Sequence, residues 1–118
     1  MYRVEIEDLV ANYFIYHSLL NHESRFVRFS TLYEYGTIVV EKLNACGKDT
    51  ILSISWEDNL KLFRDHGDFF CRHVDDEGYV GIMLHKGITR LDIVKEFLGV
   101  IPVDVENVLV EIIRKENQ

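Results

Sequence analysis

The chain contains little cysteine and almost no proline. Its 118 residues include two cysteines, Cys46 and Cys71, and a single proline, Pro102. Two thiols are too few for a disulfide framework, which makes the reducing cytoplasm the expected compartment. The seven glycines are dispersed, so the sequence offers neither a linker nor a glycine-rich phosphate loop. A chain of this length without linkers predicts one domain over residues 1–118.

Basic residues and long apolar runs are also scarce. The chain has 13 Lys and Arg residues against 20 Asp and Glu residues, which gives a formal net charge of −7. An acidic surface repels phosphate backbones and attracts basic proteins. No apolar run approaches the length of a membrane span, so we expect no membrane segment.

Three pairs of residues mark expected helix starts. In each pair a Ser or Thr stands three residues ahead of an acid, just before an apolar helical pattern. The hydroxyl can accept a hydrogen bond from a backbone N–H of the first turn, and the acid suits the positive end of the helix dipole. The pairs are Thr31 with Glu34, Ser55 with Asp58, and Thr89 with Asp92.

With 47% hydrophobic and 12% aromatic residues, the chain has enough apolar material for a core. Apolar residues spaced three and four apart predict helices, and alternation predicts strands. The expected helices cover 4–20, 32–46, 56–66, 90–98 and 105–115, and the expected strands cover 50–54, 69–74 and 79–84. Turn residues 75–78 would join the last two strands. The sequence therefore predicts an α+β domain with about five helices and a small antiparallel sheet containing a hairpin at roughly 69–84.

Two segments remain open at this stage. Gly36 and the β-branched run 37–40 favour a strand, in which residues 37–43 would pair with 50–54 as a hairpin. Apolar residues at helical spacing instead favour a helix over 32–46. Residues 25–29 form either a short strand or an extended connector.

Residue types that bind zinc gather between positions 66 and 85. His66, Cys71 and His73 are the candidates, although no pair with the spacing Cys-x-x-Cys or His-x-x-x-His is present. Cys71 and His73 would lie about 6.5–7 Å apart at their Cα atoms on one strand, whereas a nucleophile and its base need a direct hydrogen bond. We therefore predict no catalytic residue and no cofactor, and a zinc- or thiol-dependent enzyme around Cys71 and His73 is kept as one alternative.

A nucleic-acid-associated transcriptional regulator is another alternative. Arg25 and Arg28 alternate with aromatic side chains, a pattern typical of stacking and phosphate contacts. Lys61 and Arg64 lie on the predicted third helix. The order strand, helix, hairpin over residues 50–84 is similar in shape to part of a winged helix, but a helix-turn-helix needs two helices before the wing. Together with the acidic balance of the chain, this makes nucleic acid an unlikely partner.

The favoured interpretation is a small acidic protein-binding module of the cytoplasm, of the inhibitor, immunity or adaptor type. Such proteins act by surface complementarity, because acids steer them to a basic partner and a few aromatic residues anchor the contact. The candidate steering acids are Asp65, Asp75, Asp76 and Glu77, and the candidate anchors are Tyr16 and Tyr79. The first and last helices are apolar on more than one face, which predicts either two central helices in one domain or a homodimer.

Overall fold

The computed structural model describes residues 1–19, 25–53, 60–97, 99 and 102–116. Within these residues the chain forms five strands and five helices, which confirms the mixed α+β prediction. In chain order they are β1 Tyr2–Glu5, α1 Ile6–Leu19, β2 Phe26–Arg28, α2 Phe29–Ala45, β3 Thr50–Ser53, α3 Lys61–Asp65, β4 Phe70–Val74, β5 Val80–Leu84, α4 Arg90–Phe97 and α5 Val103–Glu116. None of the helices in these ranges has the length and apolar composition needed to cross a bilayer.

The predicted hairpin is present and forms most of a three-stranded antiparallel sheet in the order β2-β5-β4. Val27 lies opposite Ile82, and Phe70 lies opposite Leu84. These four side chains are buried, because the helices pack on their face of the sheet. The opposite face, called the outer face below, carries Phe26, Arg28, Cys71, His73, Gly81 and Met83.

Helix α1 lies at the centre of the helices and packs against α2, α4 and α5. Leu9 and Val10 are fully buried, and the Phe14 ring stacks on the Phe70 ring of β4 with 6.0 Å between ring centroids. Burying one side chain of this kind stabilises a fold by about 1.5–3 kcal/mol. The apolar face of the sheet is therefore closed by α1 and its neighbours.

The first residues of the chain are a strand, and the predicted helix start at residue 4 is wrong. Val4 pairs with Leu52 in a two-stranded parallel sheet formed by β1 and β3. The helical spacing begins at Ile6, which is where α1 begins. The buried Val4 side chain fits either pattern, and strand pairing with a distant segment decides between them.

Residues 32–45 belong to helix α2, so the rival hairpin with 50–54 is wrong. Buried residues three and four apart along α2 outweigh the β propensity of its middle. Gly36 allows a close approach to β3, since a Cβ atom there would lie 2.7 Å from Leu52 Cδ1. The helix begins at Phe29, after Arg28 in an extended conformation, so Thr31 does not cap it as predicted. Burial of Phe29 places that start ahead of the capping motif.

The other two predicted helix starts differ in outcome. Around Thr89 the prediction is confirmed: the Thr89 N–H donates to Asp92 Oδ2 at 2.8 Å, and the Asp92 N–H donates to Thr89 Oγ1 at 3.3 Å. The Ser55–Asp58 pair lies outside the described residues. A continuous helix over 56–66 is wrong, because Leu60 has an extended backbone and α3 covers only Lys61–Asp65.

Candidate functional site

Residues proposed for two different functions meet at the end of the β4–β5 hairpin. Arg28 Nε donates to Asp75 Oδ2 at 2.8 Å, and its Nη2 donates to Glu77 Oε2 at 3.2 Å. The centre of the guanidinium lies 4.1 Å from the centroid of the Tyr79 ring. Residues 75–79 together with Arg28 are called the hairpin tip below.

Backbone geometry orders the hairpin tip as well. Asp75 Oδ1 accepts hydrogen bonds from the Glu77 N–H at 3.1 Å and from the Tyr79 N–H at 2.9 Å. The Asp75 N–H donates to the Tyr79 carbonyl at 2.9 Å, and Gly78 takes φ +91°, which other residues rarely adopt. The carboxylate of Asp75 is thus a hub for both the turn and Arg28.

These contacts affect the pKa of Asp75. Partial burial alone would raise that pKa, but hydrogen bonds from the Tyr79 N–H and from Arg28 outweigh it and hold the pKa below its ordinary value of 3.8. The Asp75 carboxylate is therefore charged in the folded protein near neutral pH. Asp76, which also belongs to the turn, is exposed.

Tyr79 is the exposed aromatic residue of the hairpin tip. Its side chain is 49% exposed although Arg28 lies against the ring. Stacked guanidinium and aromatic groups fix each other's orientation, and such a contact is worth about 0.5–1 kcal/mol at an exposed site. The structure therefore brings together Asp75, Glu77 and Tyr79 of the predicted protein-binding set with Arg28 of the predicted nucleic-acid set.

The outer face of the sheet continues from the hairpin tip. The Phe26 ring meets the His73 ring edge-on, with 5.4 Å between centroids. Between them lies Gly81, where a Cβ atom would be 2.6 Å from Phe26 Cζ and 2.1 Å from the Val27 carbonyl oxygen. A glycine is required at this position because the backbone of β2 and the Phe26 ring approach it closely.

The three zinc candidates lie in two environments. Cys71 is half-buried on the outer face, and its thiol donates to the Met83 carbonyl at 3.7 Å. His66 Nδ1 lies 3.5 Å from Glu96 Oε1, and its ring is 4.7 Å from the Phe97 ring of α4. In the part of the chain that the structure describes, no group of three His, Cys, Asp or Glu residues is arranged to hold a metal ion.

The four cations predicted for nucleic-acid binding are also separated. Arg25 donates to the Ile88 carbonyl at 2.9 Å and to the His85 carbonyl, so its guanidinium connects β2 to the segment before α4. Arg28 belongs to the hairpin tip. Lys61 and Arg64 are exposed on α3, and Lys61 lines a cavity together with Glu5, Glu7 and Asp8.

Asp65 lies with Lys61 at a small acidic cavity of about 160 Å³ beside the start of α1. Its lining consists of Glu5, Glu7, Asp8, Lys61, Leu62, Asp65, His66 and Phe97. Burial is the main reason that the pKa of Asp8 is raised above its ordinary value. Asp65, one of the predicted steering acids, therefore lies at this cavity and does not belong to the hairpin tip.

Tyr16, the other predicted anchor, lies where α1 meets α5. Its hydroxyl donates to Glu106 Oε1, and this hydrogen bond is the main reason that its pKa is raised to about 12. Tyr16 also lines an open groove of about 560 Å³ along α5. The sequence did not indicate this pairing, because the two residues are 90 positions apart.

No protein-family model, no curated protein and no solved structure matches this chain. The functional assignment therefore depends on the chemistry of these surfaces alone.

Proposed function

We propose that this protein is a small acidic protein-binding module that recognises a basic partner through the hairpin tip. The observation that carries the proposal is the arrangement around Arg28, which holds two carboxylates and an exposed tyrosine in one fixed geometry. Acids for steering and an aromatic anchor are the components that such a surface needs.

The order of the hairpin tip supports this proposal on energetic grounds. Side chains that are already held in place lose less conformational entropy when a partner binds, which favours affinity. Asp75 and Glu77 are held by Arg28, and the Tyr79 ring is held by the same guanidinium. A binding partner would therefore meet a surface that requires little rearrangement.

The charge of the hairpin tip favours a basic partner. The hairpin tip carries three carboxylates, those of Asp75, Asp76 and Glu77, and one guanidinium, so it keeps an excess of negative charge within a protein of net charge −7. Such a field accelerates encounters with a basic surface and slows encounters with nucleic acid.

Neither alternative function gains a supporting contact among the described residues. The guanidinium groups of Arg25 and Arg28 are used within the protein, which leaves fewer cations for phosphate groups. Cys71 bonds to a backbone carbonyl and His73 packs on Phe26, so the described contacts contain no thiol–imidazole hydrogen bond.

Site-specific cross-linking in the cell that makes the protein tests the proposal. A photo-cross-linking amino acid replaces Tyr79 in one variant and Leu91 in a control; Leu91 is 59% exposed on α4. We expect an adduct with one basic protein from position 79 and none with that protein from position 91. Equal labelling from both positions, or no adduct from position 79, would contradict the proposed surface.

The rate of association with the cross-linked protein provides the second measurement. We expect this rate to fall as salt is added, because long-range attraction is screened within about 10 Å at 0.1 M ionic strength. Asp76→Asn should lower the rate several-fold at low salt, whereas Asp49→Asn, at another exposed turn, should change it less. Rates that do not depend on salt or on Asp76 would count against electrostatic steering.

A further inference from the structure

The groove between α1 and α5 is a second surface, separate from the hairpin tip. It is open, has a volume of about 560 Å³, and is lined on the α1 side by Tyr16. The α5 side is formed by Glu106, Asn107, Val110, Glu111, Arg114 and Lys115. Three of them, Asn107, Val110 and Arg114, are spaced three and four apart, so they form one stripe along the helix.

This stripe is not required for the protein's own core. Helix α5 buries its other face, on which Val105, Leu109 and Ile113 are fully buried against the domain. At the start of the exposed stripe Val103 is 66% exposed, and Val110 is half-buried in the middle of the groove. A helix face that lies outside the core and still carries apolar residues, here Val103 and Val110, is typical of a surface that contacts another helix.

The order of charges along α5 indicates which helix fits. Asp104 and Glu106 lie in the first turn, whereas Arg114 and Lys115 lie in the last turn. A second α5 in antiparallel orientation would place its basic end against the acidic end of the first, and its acidic end against the basic end. A parallel copy would place like charges together, so the pattern is complementary to itself in the antiparallel orientation only.

From this pattern we propose that the groove binds α5 of a second copy of this chain, related by a two-fold axis that passes near Val110. In this homodimer Glu106 faces Arg114 of the other copy, and the two Val110 side chains meet at the axis. The assembly goes beyond the proposed partner binding, and it leaves the hairpin tip of each copy exposed.

Two details of the groove agree with this arrangement. The Tyr16 hydroxyl holds Glu106 Oε1, which orients the carboxylate on the groove wall before any contact forms. Lys115 already pairs with Glu111 at 3.2 Å, whereas Arg114 has no ion-pair partner among the described residues. The oriented Glu106 and the available Arg114 can therefore pair across the two-fold axis, and the symmetry of the dimer forms this pair twice.

A charge exchange tests the proposal and its orientation together. Glu106→Lys and Arg114→Glu are prepared as two separate variants, and the mass of each is measured by sedimentation velocity at low salt. We expect the wild type to be a dimer and each variant alone to dissociate, with a dissociation constant raised by about tenfold or more. An equimolar mixture should form a heterodimer, because every repulsive pair becomes attractive when one copy comes from each variant.

The controls separate this result from misfolding. Asp68→Lys changes an exposed acid next to α3 and should leave the dimer intact. Val110→Asp should dissociate it while thermal unfolding stays cooperative. A wild type that remains monomeric at high protein concentration would overturn the proposal, as would a mixture of the two folded charge variants that fails to associate. Neither result would affect cross-linking from Tyr79, so the two proposals can fail independently.

Discussion

At the residue scale, Arg28 determines how the hairpin tip is organised. One guanidinium binds Asp75 and Glu77 and lies against Tyr79. Arginine suits this position because its planar group can stack on a ring while its N–H groups bind carboxylates, and lysine cannot do both. Arg28, which the sequence suggested for phosphate contacts, therefore orders Asp75 and Glu77, which the sequence suggested for binding a basic protein.

The role of Arg28 in the hairpin tip predicts a change in the titration of Asp75. Arg28→Gln removes a hydrogen bond and a positive charge, so the pKa of Asp75 should rise towards or above its ordinary value of 3.8. Arg28→Lys should cause a smaller rise, since it keeps the charge and loses the planar fork. A titration of the Asp75 carboxyl carbon by NMR measures the pKa, with Arg3→Gln in β1 as the control.

An unchanged pKa of Asp75 in Arg28→Gln would mean that the backbone N–H groups of the turn alone set it.

The sequence could not predict the contact between Arg28 and Asp75, because the two residues are 47 positions apart. Alternation showed which residues share a side of one strand. Which strands lie next to each other depends on the fold as a whole, and β5 stands between β2 and β4.

At the scale of elements, β2 lies against the hairpin at Gly81. The backbone of β2 and the Phe26 ring approach this residue, as the short distances from a hypothetical Cβ atom to Val27 and Phe26 show. Strand β2 can pair with β5 at this distance only because Gly81 has no side chain. The sequence placed Gly81 on the hairpin strand and left residues 25–29 open as a strand or a connector, so it did not indicate that this segment pairs beside Gly81.

Gly81→Ala should destabilise the protein by roughly 2 kcal/mol or more, because overpacking a tight site typically costs about 1–3 kcal/mol. The added methyl group would meet the Val27 carbonyl oxygen, which belongs to the backbone and cannot rotate away. Chemical denaturation of the variant measures the loss in the free energy of unfolding.

A second substitution identifies the source of that loss. Phe26→Ala removes the ring next to Gly81 but leaves the Val27 carbonyl in place, so it should not restore the stability of Gly81→Ala. Full restoration would show that the ring, and not the strand backbone, excludes a side chain at this position.

The same scale shows which elements could be predicted from the sequence. Local signals were sufficient for the helix start at Thr89 and for the hairpin, where turn chemistry and alternation agree. They were insufficient for β1, since its parallel partner β3 is about 50 residues away. Along α2, burial at helical spacing outweighed the β-branched run, a balance that propensity alone did not resolve.

At the scale of the whole molecule, the carboxylates serve several separate purposes. Some order the hairpin tip, Asp92 caps α4, and others connect α5 to its neighbours. Lys42 Nζ, for example, lies 3.3 Å from Glu111 Oε1, and Tyr35 donates from α2 to Glu116 Oε2 at 2.5 Å. The acidic residues that predicted a surface attractive to basic proteins also hold the elements together.

Three of these carboxylates predict how stability depends on pH. The pKa of Asp92 is lowered by the Thr89 N–H and hydroxyl, and that of Glu111 by Lys115 and Lys42. The pKa of Asp75 is lowered as well. A group whose pKa is lower in the folded state contributes its stabilisation above the unfolded value, here 3.8 for Asp and 4.5 for Glu, and loses it as the pH falls through the lowered value.

The melting temperature should therefore stay nearly constant at weakly acidic and neutral pH and fall once the pH drops below these values. Asp8 acts in the opposite direction, because its raised pKa means that protonation relieves a cost of burial in the folded protein. Thermal unfolding followed by circular dichroism across this range gives the profile.

Asp92→Asn should lower the melting temperature at neutral pH. The difference from the wild type should close in strong acid, where Asp92 is protonated in both the folded and the unfolded state. A difference of the same size at both extremes would assign the effect of Asp92 to its shape and not to its charge.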